Sequence, residues 1–418
     1  MLKKLNGASC IYNKLLQKNV KDVFLYTGGA IMPLVDQFYK QNKINYFINT
    51  HEQSAGHAAT GYAKSSGKPG ICIMTSGPGL TNSITALTDA TNDSTPFILF
   101  TGNVPLTEIG TNAFQECPAI EISKPITKWS YLVDDVNDLS DVIDEAFRVS
   151  TSGKPGSVHI DIPKCVLTSD FDFNFYVKKK FNNYIKKTED IKSNDIINFY
   201  KLLDLSKKPI LLIGQGCNNY SKELRNYAIK SNIPVTTTIH SMGVFDETHE
   251  LSLQFLGMHG NVSANYAIQE SDLIIALGTR FDDRTTGRLE EYAPEAFKAF
   301  KQNRGGIVHV NINDKEIRTV VKSNLNFHMD CGSFLKQLVP IYKKRTDWFK
   351  LINKWKKTYK FNYNKTENLK TQEVISSIND YLLTKDNYIV TSGVGNHQMM
   401  SSQFIKWRYP KTFISSGS

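Results

Sequence analysis

The chain has 418 residues, 40% hydrophobic and 22% charged, which suits a folded protein of two or three domains with several buried cores. Its net charge of +10 would suit a nucleic-acid binder, but the lysines are spread along the chain among Asn, Ile and Tyr instead of forming one stripe, so no nucleic-acid partner is expected. No run approaches the roughly 18 apolar residues that cross a membrane, so no membrane partner is expected either.

The first eighteen residues carry lysines but no sustained apolar core. Ile11, Leu15 and Leu16 there fit a first amphipathic helix, and no targeting peptide is read. Six cysteines are widely scattered without a C-x-x-C pair, which points to reduced, mostly buried thiols in a cytosol-like compartment.

Strand-like runs then alternate with segments of helical length: "DVFLY" from residue 22, "GICIMTS" from 70, "FILFTG" from 97 and "VHIDIP" from 158. That alternation predicts an α/β fold of consecutive doubly wound parallel sheets. Charge rises and apolar periodicity fades over 168–195, which reads as a linker. A second set follows in "PILLIGQG" from 209, "PVTTT" from 234, "DLIIALG" from 272 and "GIVHVNI" from 306. The Lys-rich stretch 343–370 reads as a second linker. "NYIVTSGVG" from 387 and "TFI" from 412 open a third unit too small to bury its own core. The expected domains are 1–168, 190–345 and the beginning of a third over 368–418.

Four stretches carry chemistry. In "THEQSAGHAATGYAK" Glu52 precedes a run of small residues that lets another backbone, or a cofactor, approach closely; the plainer reading is an acidic residue favouring a helix N-terminus. "TSGPGLTN" places Gly77, Pro78 and Gly79 after a buried strand, where open α/β sheets bind ligands, although a tight turn explains it equally well. "GQGC" begins like a dinucleotide fingerprint, but Asn219 stands where the third glycine belongs, so nicotinamide binding is weakly supported. "LGTRFDDRTTGR" sets arginines at a strand's end, suited to a diphosphate or to solvent alone.

Taken in order, "YTGGA", "HEQSAGHAATGYAK", "TSGPGLTN", "AFQE", "TSGKPGSVHIDIPK", "LGMHG", "GTRFDDR" and "TSGVGNHQM" resemble the large catalytic subunit of acetolactate synthase, in the thiamine-diphosphate-dependent family. The resemblance implies pyrimidine-binding, central flavin-binding and diphosphate-binding domains. It also implies a homodimer or tetramer with the cofactor at the interface, and 2-keto acids as substrates. A small regulatory subunit and a cytoplasmic or organelle-encoded location go with it. Glu52 then takes the family's role of hydrogen-bonding the pyrimidine and favouring the tautomer that removes the thiazolium C2 proton. Tyr26, Gly28, Gly29, Thr75, Pro78 and Asn82 match positions around that ring, and Val394, Asn396 and His397 match positions near the cofactor. Gln115 carries over as a catalytic position, while Phe114 and Lys164 line the substrate entrance.

For FAD the matching positions are Lys154, Gly214, Gly216, Thr237 and Thr238, then Leu256, Gly257, Met258, His259 and Gly260. Gly278, Thr279, Arg280, Asp282, Arg284, Asn311 and Asp330 complete the set. FAD in this family is mostly structural. The family has Arg at position 154, an acidic residue at 311 and Pro at 27, where this chain has Lys154, Asn311 and Thr27. Lysine replaces a bidentate contact by a point charge. The resemblance further implies Mg²⁺ on a G-D-G motif with a later Asn. No "GDG" occurs in the 418 residues, so no metal ligand is expected in this chain. Three readings stay open: a fragment of a longer enzyme, a short non-catalytic protein that has lost activity but keeps flavin binding or an interaction role, or one half of a split enzyme.

Overall fold

A computed structural model describes residues 5–171, 177–183, 185 and 188–417. The chain divides near residue 186 into two compact units. In the first, strands β1 (Asp22–Leu25), β2 (Asn45–Ile48), β3 (Gly70–Met74), β4 (Phe97–Asn103), β5 (Trp129–Leu132) and β6 (Ser157–Pro163) form one sheet in the order β2-β1-β3-β4-β6-β5. Every neighbouring pair is parallel.

Helices cover both faces because the interior strands are apolar on both. Along β3, Ile71 and Ile73 enter one core with the helix Gly7–Gln17, while Cys72 and Met74 enter the other. Successive strand residues point to opposite faces, so a strand buried on both sides reads as a continuous apolar run. Each such side chain contributes about 1.5–3 kcal/mol on full burial.

The second unit repeats the scheme. Its strands β7 (Pro209–Ile213), β8 (Val235–Thr237), β9 (Ser252–Phe255), β10 (Leu273–Leu277), β11 (Gly306–Asn311) and β12 (Leu325–His328) are ordered β12-β11-β10-β7-β8-β9. Leu211, Ile213 and Ile275 pack on one face, and Ile210, Leu212 and Ile274 on the other.

The two stretches read as linkers both contribute packing residues. The stretch 343–370 contains the helix Thr346–Thr358, which seats Trp348 in the second core and donates its indole N–H to the Pro209 carbonyl at 3.1 Å. Five of its 13 residues are apolar, and Trp348 and Ile352 among them are fully buried. Parts of the 168–195 linker (172–176, 184, 186 and 187) lie outside the described residues. Phe181 within it packs edge-on against Trp129 and Tyr131 of β5.

The segment 368–417 lies in the second unit. Its parallel strands β13 (Val390–Thr391) and β14 (Phe413–Ile414) and the helix Thr371–Leu382 share a core with Met242 and Phe255 through Ile405, Trp407 and Phe413. The loop after β8 clamps residues 407–409. Arg225 donates to the carbonyls of Gly243 and Arg408, and the Glu247 N–H donates to the Trp407 carbonyl at 3.0 Å. Gly243 has φ +81, and a Cβ there would lie 2.0 Å from the Tyr409 carbonyl oxygen, so only glycine admits this approach.

Glu247 is buried in this clamp. One carboxylate oxygen accepts from the Trp407 N–H at 3.3 Å and the other has no partner among the described residues. Burial pushes its carboxyl up to about 8, against the pull of Lys406. A raised carboxyl adds stability below its unfolded value and loses it as pH rises through the folded one. Stability of the second unit should therefore fall between about pH 4.5 and 8. Glu247→Gln should flatten that slope and stabilise the protein at pH 8 by on the order of 2 kcal/mol in urea unfolding. An unchanged pH slope in the variant would reject the assignment.

Candidate functional site

In both sheets the crossovers reverse direction, and a crevice opens at such a reversal at the carboxyl ends of the strands. In the first unit one reversal falls between β1 and β3, and a second follows where the chain steps back from β5 to β6. Tyr26, Gly28 and Gly29 leave β1, and Thr75 and Gly77 leave β3. A Cβ on Gly28 would lie 2.5 Å from the Thr75 side chain, so the two loops touch with no room between. Thr75 is buried, and its hydroxyl has no hydrogen-bond partner among the described residues. Gly29 is exposed, and a Cβ there would meet no described atom within 4 Å.

Glu52 stands at the start of the helix Glu52–Ser66, behind His51, whose ring accepts from the Gln53 N–H. It is 7% exposed. Asn82 donates to its Oε2 at 3.0 Å, while Oε1 takes no partner among the described residues. Asn82 is placed by the short helix Pro78–Thr81, whose start is Gly77 at φ +53. The small residues after Glu52 serve packing. A Cβ on Gly56 would lie 2.6 Å from Ala86 of the helix Ile84–Asn92, and one on Gly70 only 2.1 Å from the Ala59 carbonyl oxygen. Another backbone thus makes the close approach in this stretch.

Gln115 sits opposite Gly77, with its carbonyl oxygen 2.6 Å from where a Cβ on Gly77 would be, and itself adopts φ +60. Phe114 beside it is 88% exposed. Glu116 anchors this loop by accepting from the backbone N–H groups of Gly110 and Ala113. Those bonds hold its carboxyl below the usual range. Lys164 opens the helix Lys164–Thr168 directly after β6 and is exposed.

In the second unit the reversal falls between β7 and β10. A Cβ on Gly214 would lie 2.2 Å from the Gly278 carbonyl oxygen, and one on Gly216 2.9 Å from Gly278 Cα, so the two loops interlock. Thr237 and Thr238 end β8; the Thr237 hydroxyl is buried without a partner among the described residues, and Thr238 caps the turn Ile239–Ser241. Asp282 accepts from the Thr285 N–H at 2.9 Å and lies 3.6 Å from Arg280. Leu256 to Gly260 reach the next turn through the Met258 N–H, which donates to the Arg284 carbonyl at 2.9 Å. His259 accepts at its carbonyl from Gln403. Asp330 caps the helix Cys331–Gln337.

Asn311 is spent inside the protein: its amide donates to the Thr279 carbonyl and to Glu316 Oε2, each at 3.0 Å, and its oxygen accepts from the Asn313 N–H. The neighbouring acid is thus Glu316, five residues on, which the sequence reading passed over. An acidic residue in the turn after β11 was the available signal. Lys154 follows the helix Leu139–Thr151 in the first unit, apart in the chain from the other expected flavin positions. Val394, Asn396 and His397 lie around the turn into the helix Asn396–Phe404, where Gly395 has φ +143 and Val394 is 69% exposed.

Residues 5–122 match the family described as "Thiamine pyrophosphate enzyme, N-terminal TPP binding domain", and residues 196–338 match "Thiamine pyrophosphate enzyme, central domain". The chain is 42% identical to the mitochondrial acetolactate synthase catalytic subunit of Saccharomyces cerevisiae, over 99% of this chain and 62% of that protein. It is 37% identical to the acetolactate synthase large subunit of Buchnera aphidicola from Schizaphis graminum, over 99% of this chain and 72% of that protein. The chloroplastic acetolactate synthase of Arabidopsis thaliana is 39% identical, over 98% and 61%. The chain therefore spans a little over three fifths of the yeast and plant relatives.

The glycine contacts make a direct test. Gly214→Ala should destabilise the protein by about 1–3 kcal/mol, because a methyl must displace backbone. Gly29→Ala, facing open space, should stay within about 0.5 kcal/mol. Equal stabilities in urea unfolding would show that the loops after β7 and β10 are not in contact.

Proposed function

The chain belongs to the acetolactate synthase large-subunit family of thiamine pyrophosphate enzymes, and from that premise we propose that it serves the decarboxylation of pyruvate and the joining of the remaining two-carbon unit to a second 2-keto acid. This is a carboligation of branched-chain amino-acid biosynthesis, on the path to valine and isoleucine. The observation that carries the reading is Glu52: a buried carboxyl with one oxygen held by Asn82 and the other unpartnered among the described residues, beside the loops that follow β1 and β3.

The donor set fits thiamine diphosphate. The orphaned Thr75 hydroxyl and the open space beside Gly29 leave room for a ligand group, and Glu52 keeps one oxygen unpartnered among the described residues at a helix start. Thiamine diphosphate, when bound, supplies the acidic carbon that adds to a keto group and accepts the electrons left as carbon dioxide departs. Glu52 hydrogen-bonds the pyrimidine ring and moves the proton that activates it. Asn82 fixes the carboxyl's orientation, and Tyr26, Gly29 and Pro78 wall the ring. Gln115 and Phe114, on the loop that packs on Gly77, and Lys164 guide the 2-keto acid.

For FAD, the Gly214, Gly216 and Gly278 loops leave a surface without side chains at the crevice of the second sheet, and the orphaned Thr237 hydroxyl faces no protein partner among the described residues. We assign FAD a structural role there. Arg280 and Arg284 supply positive charge for its diphosphate, Asp282 orients Arg280 and caps the turn, and Glu316 takes the ribose-acceptor place that Asn311 vacates. The 418 residues contain no G-D-G motif to hold Mg²⁺. The relatives' names as catalytic or large subunits support a second, regulatory subunit, and a dimer or higher oligomer of this chain goes with the proposal.

In the holoenzyme with thiamine diphosphate, Mg²⁺ and FAD, pyruvate should yield acetolactate. Glu52→Gln should slow exchange of the thiazolium C2 proton, followed by deuterium incorporation, by about 10²–10⁴-fold while flavin binding is unchanged. Equal exchange in the variant would remove Glu52 from the mechanism, and a holoenzyme that makes no acetolactate would overturn the reading.

A further inference from the structure

Strand β6 alternates in an unusual way for a fully buried strand. Val158, Ile160 and Ile162 enter the apolar core, while His159 and Asp161 share the opposite face, and both are at most 1% exposed. Asp161 forms part of the floor of a cavity of about 390 Å³ in the first unit. Asn103, Asn112, Glu116, Cys117 and Glu121 supply its other polar lining. The cavity borders the loop after β3: Gly77 packs on the backbone of Gln115, two residues before Cys117, whose thiol half-burial pushes up.

From Asp161 a file of side chains runs through the protein. Asp161 Oδ1 is 2.5 Å from Thr101 Oγ1, which is 2.7 Å from His159 Nε2. His159 Nδ1 is 2.7 Å from Ser123 Oγ, and Ser123 is 3.0 Å from the half-buried Ser130. Asn103 holds the second carboxylate oxygen. Burial pushes the His159 imidazole down to about 3, so it stays neutral and carries one proton at a time.

That single proton ties the two ends together. With Asp161 protonated, its O–H donates to Thr101, Thr101 donates to His159 Nε2, and the Nδ1–H donates to Ser123. With Asp161 ionised, Thr101 turns its O–H to the carboxylate, Nε2–H donates to Thr101, and Ser123 donates to Nδ1. The two patterns interconvert when each proton hops one place along the file: one proton leaves Asp161 and one emerges at Ser130, with no other bond changed.

We propose that Asp161 is a proton-exchanging residue of this cavity, recharged from Ser130 through Ser123, His159 and Thr101, and that the charge of a substrate carboxylate entering the cavity is balanced by a proton taken up at Asp161. This deepens the proposed reaction and rests on it for the substrate's identity, since two 2-keto acid anions giving one anion and carbon dioxide consume one proton. Burial and the charge of Glu121 raise the Asp161 carboxyl to about 7, so it exchanges near neutrality. The titratable groups facing it are His159 on its own strand, Cys117 and Glu116 from the loop, and Glu121 from the helix Ala119–Ser123; among the described residues no lysine or arginine lines the cavity. An incoming carboxylate therefore adds its charge to that of Glu116 and Glu121 and favours the protonated form of Asp161.

The test is the tautomer of His159, read from its ring ¹⁵N shifts in the full chain labelled at histidine. Between pH 5 and 9 the ring should pass from the Nδ1–H to the Nε2–H form, and pyruvate should move the midpoint up by about one pH unit. Asp161→Asn should hold the Nδ1–H form throughout, and Thr101→Val should make the tautomer independent of pH while leaving Asp161 in place. A wild-type ring that does not change form, or a Thr101→Val ring that still does, overturns the relay. A midpoint indifferent to pyruvate overturns the cavity's role. A tautomer change in a holoenzyme that makes no acetolactate would sink the proposed function and leave the relay standing.

Discussion

Close contact of bare backbone at the reversal of each parallel sheet is the constraint on which the rest depends. A strand's crossover must turn to one side or the other, and where the turns diverge the loops at the carboxyl ends part to leave a crevice. What keeps each crevice narrow at its base is glycine: Gly28 lies against Thr75 in one unit, and Gly214 and Gly216 against Gly278 in the other. The loops are held by the apolar strands beneath them, so the site's geometry is inherited from the core.

On that base the first unit sets a few polar groups with different obligations. Glu52 is half-satisfied by Asn82, and the Thr75 hydroxyl is not satisfied at all by the described residues. Burying such groups without a partner costs about 1–3 kcal/mol each, which a ligand's own donors and acceptors offset. Glu116, by contrast, is fully engaged in holding its loop, and Asn311 in the second unit is similarly occupied. The division separates residues that shape the crevices from those left for a ligand.

The legible part of the fold was the interior of each sheet. Strands β1, β3, β4, β6, β7, β8, β10 and β11 were all visible as apolar runs. The four that were not, β2, β5, β9 and β12, are the edge strands. β2 and β5 are half-exposed and β12 partly so, and their residues need no unbroken apolar run; β9 is buried but short, with Ser252 and Gln254 in it. Motif order made the crevice loops readable, whereas Glu316 was passed over, because its link to Asn311 reaches back across a turn whose path the sequence does not spell out. The polar face of "VHIDIP" was present as a period-two alternation, but an alternating His and Asp reads equally well as a solvent-facing strand until the helix covering it is known.

Whether the carboxyl ends at the two sheet reversals are the cofactor surfaces is tested most directly by hydrogen exchange of the protein, followed by mass spectrometry with and without each cofactor. Thiamine diphosphate with Mg²⁺ should protect the backbone over residues 26–29 and 75–82, and FAD should protect 214–217 and 278–286. Protection that falls elsewhere, or none at these loops with cofactor bound, would contradict that placement.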